Sequence, residues 1–296
     1  MMQRKGGTGG RNTSGPWGRL KPVTEDPLDE FGLPSKGDKR LLVSSTQERY
    51  YAKIVEKYMS FCTEAGDSTS LLRRFASLQL SAQENATRPA TSSAAPAPGR
   101  AELSHILGAL RKLREGIVAS KRADGFASQV YLFAIRLGVL CQTPEAYHPA
   151  ILHLLRVVHP RHNLTSIELQ EAVGYLVLDA ACRRGDLAEA YEMRNRYRLR
   201  DAKVDGVLRA LVQDNWVALF RVKNGLDGHR ARIVEFAEPG LRRHLLKAFG
   251  RTYLSVPLQF LESSTGLTWS ELQAEYAVGW ELNETKVVIR KIQSRS

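Results

Sequence analysis

The sequence predicts an all-α protein, an irregular array of helices closed by a small C-terminal unit that contains a β-hairpin. Apolar residues recur at helical spacing from Ser44 onward. The main body shows no sustained alternation of apolar and polar residues, the pattern typical of strands. Short apolar stripes follow one another across tight turns without a strict repeat period, which favours an irregular helical array over a regular solenoid.

Length, charge and cysteine content narrow the class of protein. The chain has 296 residues and a net charge of +12, from 43 basic and 31 acidic residues. Such an excess favours an acidic partner, either nucleic acid or an acidic disordered protein segment, although a basic tail also inflates it. Three scattered cysteines without a C-x-x-C motif indicate a reducing compartment. No signal-peptide core or membrane-length apolar run occurs, so we expect a nuclear or cytoplasmic protein without membrane contact.

The N-terminal third divides by composition into three segments. Residues 1–44 are rich in Gly, Ser, Thr, Pro and charge, which predicts a disordered basic tail. Residues 45–80 predict N-terminal helices: an apolar stripe from Ser44 to Cys62, then a second helix from Ser68 to Leu80. Residues 81–100 contain little beyond Pro, Ala, Ser and Thr, which predicts a linker.

Residues 101–252 read as one helix after another. The first stripe contains Leu103, Ile106, Leu110, Leu113 and Ile117. Similar stripes begin near 130, 151, 167, 187, 204, 216, 233 and 241, separated by turn residues such as Gly185-Asp186 and Asn224-Gly225.

Residues 253–296 change pattern. A short helical segment over 254–261 ends at Gly266, and Thr268 then precedes a second helix, with Glu271 placed to complete a capping box. Gly279–Leu282 and Lys286–Arg290 flank a polar turn and read as a hairpin. Helix, turn, helix and hairpin in about forty residues is the winged-helix pattern.

Three groups of residues carry a resemblance to a known family. They are Val207–Leu211 followed by Asp214–Arg221, then Leu245–Phe249 followed by Arg251–Val256, and finally the hairpin, Gly279–Leu282 with Val287–Lys291. Over roughly residues 101–296 the chain resembles the PCI modules, and most closely the short subtype. That subtype is shared by the COP9 signalosome, the proteasome lid and the k subunit of translation initiation factor three, and it is related to mRNA-export proteins of the GANP type.

The resemblance implies a right-handed helical-repeat array capped by a winged helix. It also implies a scaffold rather than an enzyme, with other PCI-type subunits as partners. In this family the winged helices of several subunits pair into an arc, and some export-type members bind nucleic acid beside an acidic disordered protein. We therefore expect a non-catalytic scaffold subunit that docks through its winged helix and last helices. The alternative is a component of an mRNA-processing or export assembly that binds the RNA or DNA backbone.

No residue pattern predicts catalysis, a cofactor or a metal. Gly6–Gly10 lacks the preceding strand and the Gly-Lys-Ser/Thr ending of a phosphate loop. His148, His153, His159 and His162 lack the spacing of metal ligands, and surface or capping roles suit them better. Cys62, Cys141 and Cys182 fall on or beside apolar stripes, as buried structural thiols do.

A basic surface beside the winged helix is the candidate contact for nucleic acid or an acidic partner. It comprises Arg242, Arg243, Lys247, Arg251, Lys286, Arg290 and Lys291. Charge that only keeps the surface soluble is the alternative interpretation. Glu271 and Glu275 on the predicted recognition helix disfavour insertion into a DNA major groove, so we expect RNA rather than DNA.

The hairpin supplies the candidate site of subunit docking. Val287 and Ile289 share one face and are expected in the core, while Val288 faces the other way on a strand expected at the edge of the sheet. An exposed valine there suits extension of the sheet across subunits, with Trp280 as a neighbouring contact. An ordinary wing with one surface valine is the equal alternative.

Overall fold

The structure is a computed structural model that describes residue 26 and residues 28–64 and 98–290. Helices dominate these residues, and the sheet they contain has three short strands near the C-terminus. The all-α class expected from the sequence is confirmed. The predicted helix at 68–80, the Gly6–Gly10 run and Lys291 lie outside the described residues.

The main body, called here the helical array, runs from residue 44 to residue 237. Its helices are α1 (Ser44–Thr63), α2 (Pro98–Ala119), α3 (Gly125–Leu140), α4 (Pro144–His153), α5 (Ser166–Leu178), α6 (Leu187–Arg196), α7 (Ala202–Val212), α8 (Trp216–Asn224) and α9 (Gly228–Val234). Helices α4 and α5 continue into π-helical turns, Leu154–Val158 and Asp179–Arg183, and a 3-10 turn, Glu235–Ala237, follows α9. Because α2 begins at Pro98, the predicted linker to residue 100 ends earlier than expected.

Neighbours in sequence are neighbours in space throughout the helical array. Helix α1 packs on α2, α3 on α4, α5 on α6 and α7 on α8, while α9 lies against α3 and α5. The apolar stripes predicted from the sequence face one another and merge into one continuous core. This packing buries the apolar face that each amphipathic helix cannot cover alone.

Polar residues at the turns explain where many of these helices begin. The side chains of Asp124, Thr165, Asp186, Asp201, Asn215 and Asp227 each accept a hydrogen bond from a backbone N–H in the first turn of the helix that follows. Thr165 also forms a capping box with Glu168. These caps satisfy N–H groups that the helix itself leaves without acceptors.

Residues 28–43 depart from the predicted disorder of 1–44. Leu28, Phe31 and Leu41 are buried against α1 and α2, and the Tyr50 hydroxyl donates to the carbonyl oxygen of Leu28 at 2.8 Å. Gly116 on α2 permits this packing, since a Cβ there would lie 2.7 Å from the carbonyl oxygen of Leu41. Phe31–Pro34 reads from the sequence as a candidate short docking motif, but isolated apolar residues have no periodicity, so composition favours a solvated tail.

The C-terminal unit, residues 238–290, follows the helical array directly. It consists of α10 (Glu238–Thr252), β1 (Ser255–Pro257), α11 (Leu258–Thr265), α12 (Trp269–Tyr276), β2 (Glu281–Asn283) and β3 (Lys286–Val288). The strands are antiparallel in the order β1-β3-β2. The predicted helices and hairpin are present, but β1 falls where the sequence predicts helix. With only Val256 buried, three residues are too few to show alternation.

Candidate interaction surfaces of the C-terminal unit

The C-terminal unit has its own small core, separate from that of the helical array. Its buried residues are Leu245, Leu246, Phe249, Val256, Leu261, Leu272 and Val287. The first three belong to α10, upstream of the predicted boundary at residue 253. Helix α10 therefore forms one wall of the C-terminal unit as well as its connection to the helical array.

Helix α12 is held in place by its N-terminal cap. Thr268 accepts from the backbone N–H of Glu271, and the Glu271 carboxylate accepts from the backbone N–H of Thr268 at 2.7 Å. The backbone and hydroxyl hydrogen bonds from Thr268 lower the pKa of Glu271 below its ordinary value. The predicted capping box is confirmed. Glu271 and Glu275 are both exposed, so the outer surface of α12 carries negative charge.

A row of apolar side chains crosses the sheet and ends on an edge strand. Val256 on β1 pairs with Val287 on β3, and Val287 pairs with Leu282 on β2. Directly paired residues share a face of a sheet. Val256 and Val287 are buried, whereas Leu282 is 38% exposed. The row therefore ends in a leucine that this chain covers only in part.

The two edge strands differ in what they offer to a neighbouring chain. Strand β1 contains Pro257, which has no N–H to donate to an added strand. All three residues of β2 are exposed and none is a proline. The open edge of the sheet is therefore β2.

Val288 does not lie on an edge, contrary to the prediction. Strand β3 is central, and Val288 is half-buried between Ser255 on β1 and Glu281 on β2. Both sides of β3 are already paired, so Val288 cannot extend the sheet. The buried Val287 and half-buried Ile289 agree with the predicted inward face.

Trp280 packs against α10 beside the start of β2. It is half-buried and belongs to the rim of the small core. An added Cβ at Gly250 would lie 3.7 Å from the Trp280 ring, in ordinary contact distance. Trp280 thus supports the base of the open edge strand.

Two of the predicted contact residues have internal structural partners. Arg242 donates to the Thr265 carbonyl oxygen at 3.0 Å and to the Glu238 carboxylate at 2.9 Å. Arg290 donates to the carbonyl oxygens of Gly250 and Arg251, both at 2.6 Å, and so caps the C-terminal end of α10. Their guanidinium groups connect elements of the C-terminal unit, and of the two only Arg290 is exposed.

The remaining described cations of this group do form an exposed surface. Arg243, Lys247 and Arg251 follow one another at intervals of four along the outer side of α10, and all are exposed. None of them has an ion-pair partner among the residues that the structure describes, and the same is true of exposed Lys286 on β3. We call Arg243, Lys247 and Arg251 the α10 basic stripe.

A buried ionic network at the junction with the helical array has no counterpart in the sequence-based predictions. Glu238 at the start of α10 is buried and binds both Lys223 of α8 and Arg242. Lys223 also approaches Glu235 at 3.5 Å, and Glu235 binds Arg232 at 2.6 Å. Because such charges need complete pairing when buried, the network fixes how α10 leaves the array. Two of its pairs are local, at spacings of three and four residues, but Lys223 on another helix joins them, so no single sequence motif predicts the network.

Cys141, Cys182 and His159 have structural roles. Burial raises the pKa of the Cys141 and Cys182 thiols to about 12, which leaves them protonated and unreactive. His159 accepts from the backbone N–H of Leu164 at 3.2 Å, as a capping histidine does. Within the described part of the chain, no group of three or more His, Cys, Asp or Glu side chains is arranged to hold a metal ion.

Comparisons with known proteins assign no family. No family model matches the chain, and no curated protein matches it. Among the helices that the structure describes, none combines the length and apolar content needed to cross a bilayer.

Proposed function

We propose that this chain is a non-catalytic scaffold subunit of PCI type in a nuclear or cytoplasmic complex. In this proposal the C-terminal unit is a winged helix, and it docks onto another PCI-type subunit through the free edge of β2. The order α10, β1, α11, α12, β2, β3 and the strand order β1-β3-β2 support the winged-helix assignment. The pairwise packing of the preceding helices supports the assignment of a helical-repeat array.

The apolar row across the sheet is the observation on which the docking proposal rests. A neighbouring strand added at β2 would pair with an edge whose three residues are exposed, and would cover the outer side of Leu282. Main-chain hydrogen bonds would supply affinity, and burial of Leu282 would set the register. In the PCI family, which the chain resembles, the winged helices of several subunits pair into an arc.

A charge placed at Leu282 tests the docking surface. Leu282→Lys puts a solvated cation on the open edge, a device by which natural sheets prevent strand addition. Ile167→Lys is the matched control, since Ile167 is 81% exposed on α5 and remote in sequence. Both full-length variants are expected to fold as the wild type does, judged by circular dichroism and melting temperature.

Affinity purification with mass spectrometry then measures which partner subunits copurify with each variant. The wild type and Ile167→Lys are expected to copurify the same stoichiometric partner subunits, and Leu282→Lys is expected to lose at least one of them. Partners retained in full by folded Leu282→Lys would remove β2 as the docking edge. A wild-type chain that purifies alone as a monomer would contradict the scaffold function itself.

The α10 basic stripe favours binding of an RNA backbone as a second candidate function. Three exposed cations without partners on one helical face match the repeated charge of a phosphate chain. The exposed rings of Tyr253 and Phe260 flank Phe249 at the end of α10, with ring centroids at 5.4 and 5.8 Å. Exposed aromatic rings beside cations are typical of single-strand binding surfaces.

Charge reversal along the stripe tests this second function. Arg243→Glu with Lys247→Glu is expected to weaken binding to single-stranded RNA by 10-fold or more, because two phosphate contacts become repulsive (about 1.4 kcal/mol for each factor of ten). Arg209→Glu with Arg221→Glu, two exposed arginines on α7 and α8, changes the net charge equally and serves as the control. Equal losses in both variants, or an affinity that does not fall with added salt, would exclude a specific role for the stripe.

A further inference from the structure

A cavity in the helical array, remote from the C-terminal unit, is lined by cations from two helices and the turns that follow them. Ile117 and Val118 come from α2, and Lys121 from the turn that follows it. His153 ends α4, Val157 lies in its π-helical extension, and Arg161 lies in the turn beyond. Arg122 completes the lining.

Arg114 is not among the lining residues, but it lies one turn before Ile117 on α2, close enough for its charge to act on His153. It is half-buried, and its Nε is enclosed without a hydrogen-bond partner. Within the part of the chain that the structure describes, no carboxylate pairs with Arg114, Lys121 or Arg161. An enclosed Nε–H group without an acceptor costs free energy, and a bound anion would offset that cost.

The carboxylates that contact the lining residue Arg122 are already engaged. Glu48 and Asp124 both bind Arg122, at 2.7 and 2.8 Å. Arg122 is therefore held by its own partners and contributes a wall to the cavity instead of a free charge. The cations available to a ligand are Arg114, Lys121, Arg161 and, when protonated, His153.

The surroundings of the His153 ring also carry more positive than negative charge. Its ring stacks on Tyr131 with centroids 4.9 Å apart. Burial lowers the pKa of His153, and the positive charges of Arg114 and Arg161 lower it further. None of the groups acting on this ring is a carboxylate.

We propose that this cavity is an anion-binding site that takes the diphosphate group of a small molecule, held between Arg114 on α2, Lys121 in the turn after α2 and Arg161 beyond α4. The cavity volume is about 240 Å³, room for roughly eight water molecules at about 30 Å³ each. A diphosphate fits that volume, and its charge matches three cations without acceptors. The guanidinium forks of Arg114 and Arg161 suit phosphate oxygens, and Lys121 adds a point charge.

Calorimetric titration of the full-length protein with inorganic pyrophosphate tests the proposal at constant ionic strength. We expect saturable binding at one site, reduced at least 10-fold in Arg161→Ala and in Lys121→Ala. Both residues are exposed, so these variants are expected to keep the fold. Arg243→Ala on the α10 basic stripe is the matched control and is expected to bind as the wild type does.

The source of the diphosphate is distinguished by a second ligand. A purine nucleoside diphosphate that binds more tightly than pyrophosphate would identify a nucleotide, with the base on the apolar surface of Val118 and Val157. Equal affinity of the two ligands would identify a site for diphosphate alone. Absence of saturable binding of either ligand to the folded wild type would overturn the proposal, as would an equal loss in Arg243→Ala.

Arg114→Met separates a ligand-binding role from a purely structural one. Because it removes a half-buried cation without an acceptor, we expect the melting temperature of the unliganded protein to stay or rise, while the stabilisation by pyrophosphate disappears. A lower melting temperature with the pyrophosphate response intact would contradict the assignment of Arg114. As an independent check, the pKa of His153, followed by NMR, is expected to rise when pyrophosphate binds.

Discussion

The helical array and the C-terminal unit bury their side chains to different degrees. In the array one continuous core joins all nine described helices, and it encloses even a carboxylate, Asp179, which is fully buried. The core of the C-terminal unit is small, and its apolar row runs off the sheet at Leu282. The array is thus complete as a packing unit, whereas the C-terminal unit presents the surface that a second chain could complete.

The two regions also treat charge differently. In the array Arg183 binds Asp179, Arg136 binds Glu171 and Arg194 binds Asp205. On the outer side of α10 the cations have no such partners among the described residues. The array also holds cations without ion-pair partners in the described part of the chain, Arg114, Lys121 and Arg161, so the contrast is between the ion pairs of the array core and the uninterrupted stripe on α10. Each prediction below tests one part of the difference between the two regions.

The largest effect is expected at the centre of the helical array. Asp179 accepts from the Tyr147 hydroxyl at 2.5 Å and from Arg183 at 2.6 and 2.8 Å. Burial opposes its ionisation, but these hydrogen bonds leave the pKa of Asp179 below its ordinary value. Asp179→Ala leaves the Tyr147 hydroxyl and the Arg183 guanidinium without an acceptor. We therefore expect the free energy of unfolding in urea to fall by about 4 kcal/mol.

Arg136→Ala is the control for this prediction. Its pair with Glu171 lies near the surface, where loss of an ion pair costs about 0–1 kcal/mol. If the two variants were equally stable, the enclosed carboxylate would not be the feature that distinguishes the array.

A smaller and more local effect is expected in the C-terminal unit. Leu272 is the buried residue of α12, and Leu272→Ala is expected to cost about 3 kcal/mol through lost burial and a residual cavity. Hydrogen exchange should rise in α11, α12 and the strands while the array stays protected. Exchange that rises equally in α3 and α5 would show that the two regions unfold as one.

The smallest effect concerns the cap of α12 and depends on pH. Thr268→Ala is expected to destabilise the C-terminal unit by about 1 kcal/mol at neutral pH. The pKa of Glu271 in the folded protein is lowered from its ordinary value of 4.5. The ionised carboxylate therefore stabilises the fold above pH 4.5, and this stabilisation is lost as the pH falls through the folded pKa. Glu271→Gln should flatten this acid loss in pH-dependent unfolding. An unchanged acid profile would contradict the role of the carboxylate.

Much of the fold follows from patterns that reach only a few residues along the chain. The stripe from Ser44 to Cys62 predicts α1, and Thr268 with Glu271 predicts the start of α12; both are confirmed. The hairpin is present within one or two residues of its predicted strands. In each case the responsible interaction is local, either one face of a helix or a cap at its first turn.

The candidate site was less predictable because its geometry depends on distant residues. Arg242 and Arg290 are surface cations by composition, yet Thr265 and Gly250 supply their acceptors. Val288 alternates correctly with Val287, but the pairing of β1 with β3 makes its strand central. Alternation assigns a face to a residue and says nothing about which strand lies beside it.

The sequence by itself determined the helical class, the succession of helices and the caps that begin them, because each depends on side chains within about one helical turn. Tertiary structure decided which strand is the open edge, which cations remain unpaired and how Leu28 and Phe31 dock on α1. Those outcomes depend on acceptors and apolar surfaces brought together from remote parts of the chain, where no spacing rule applies.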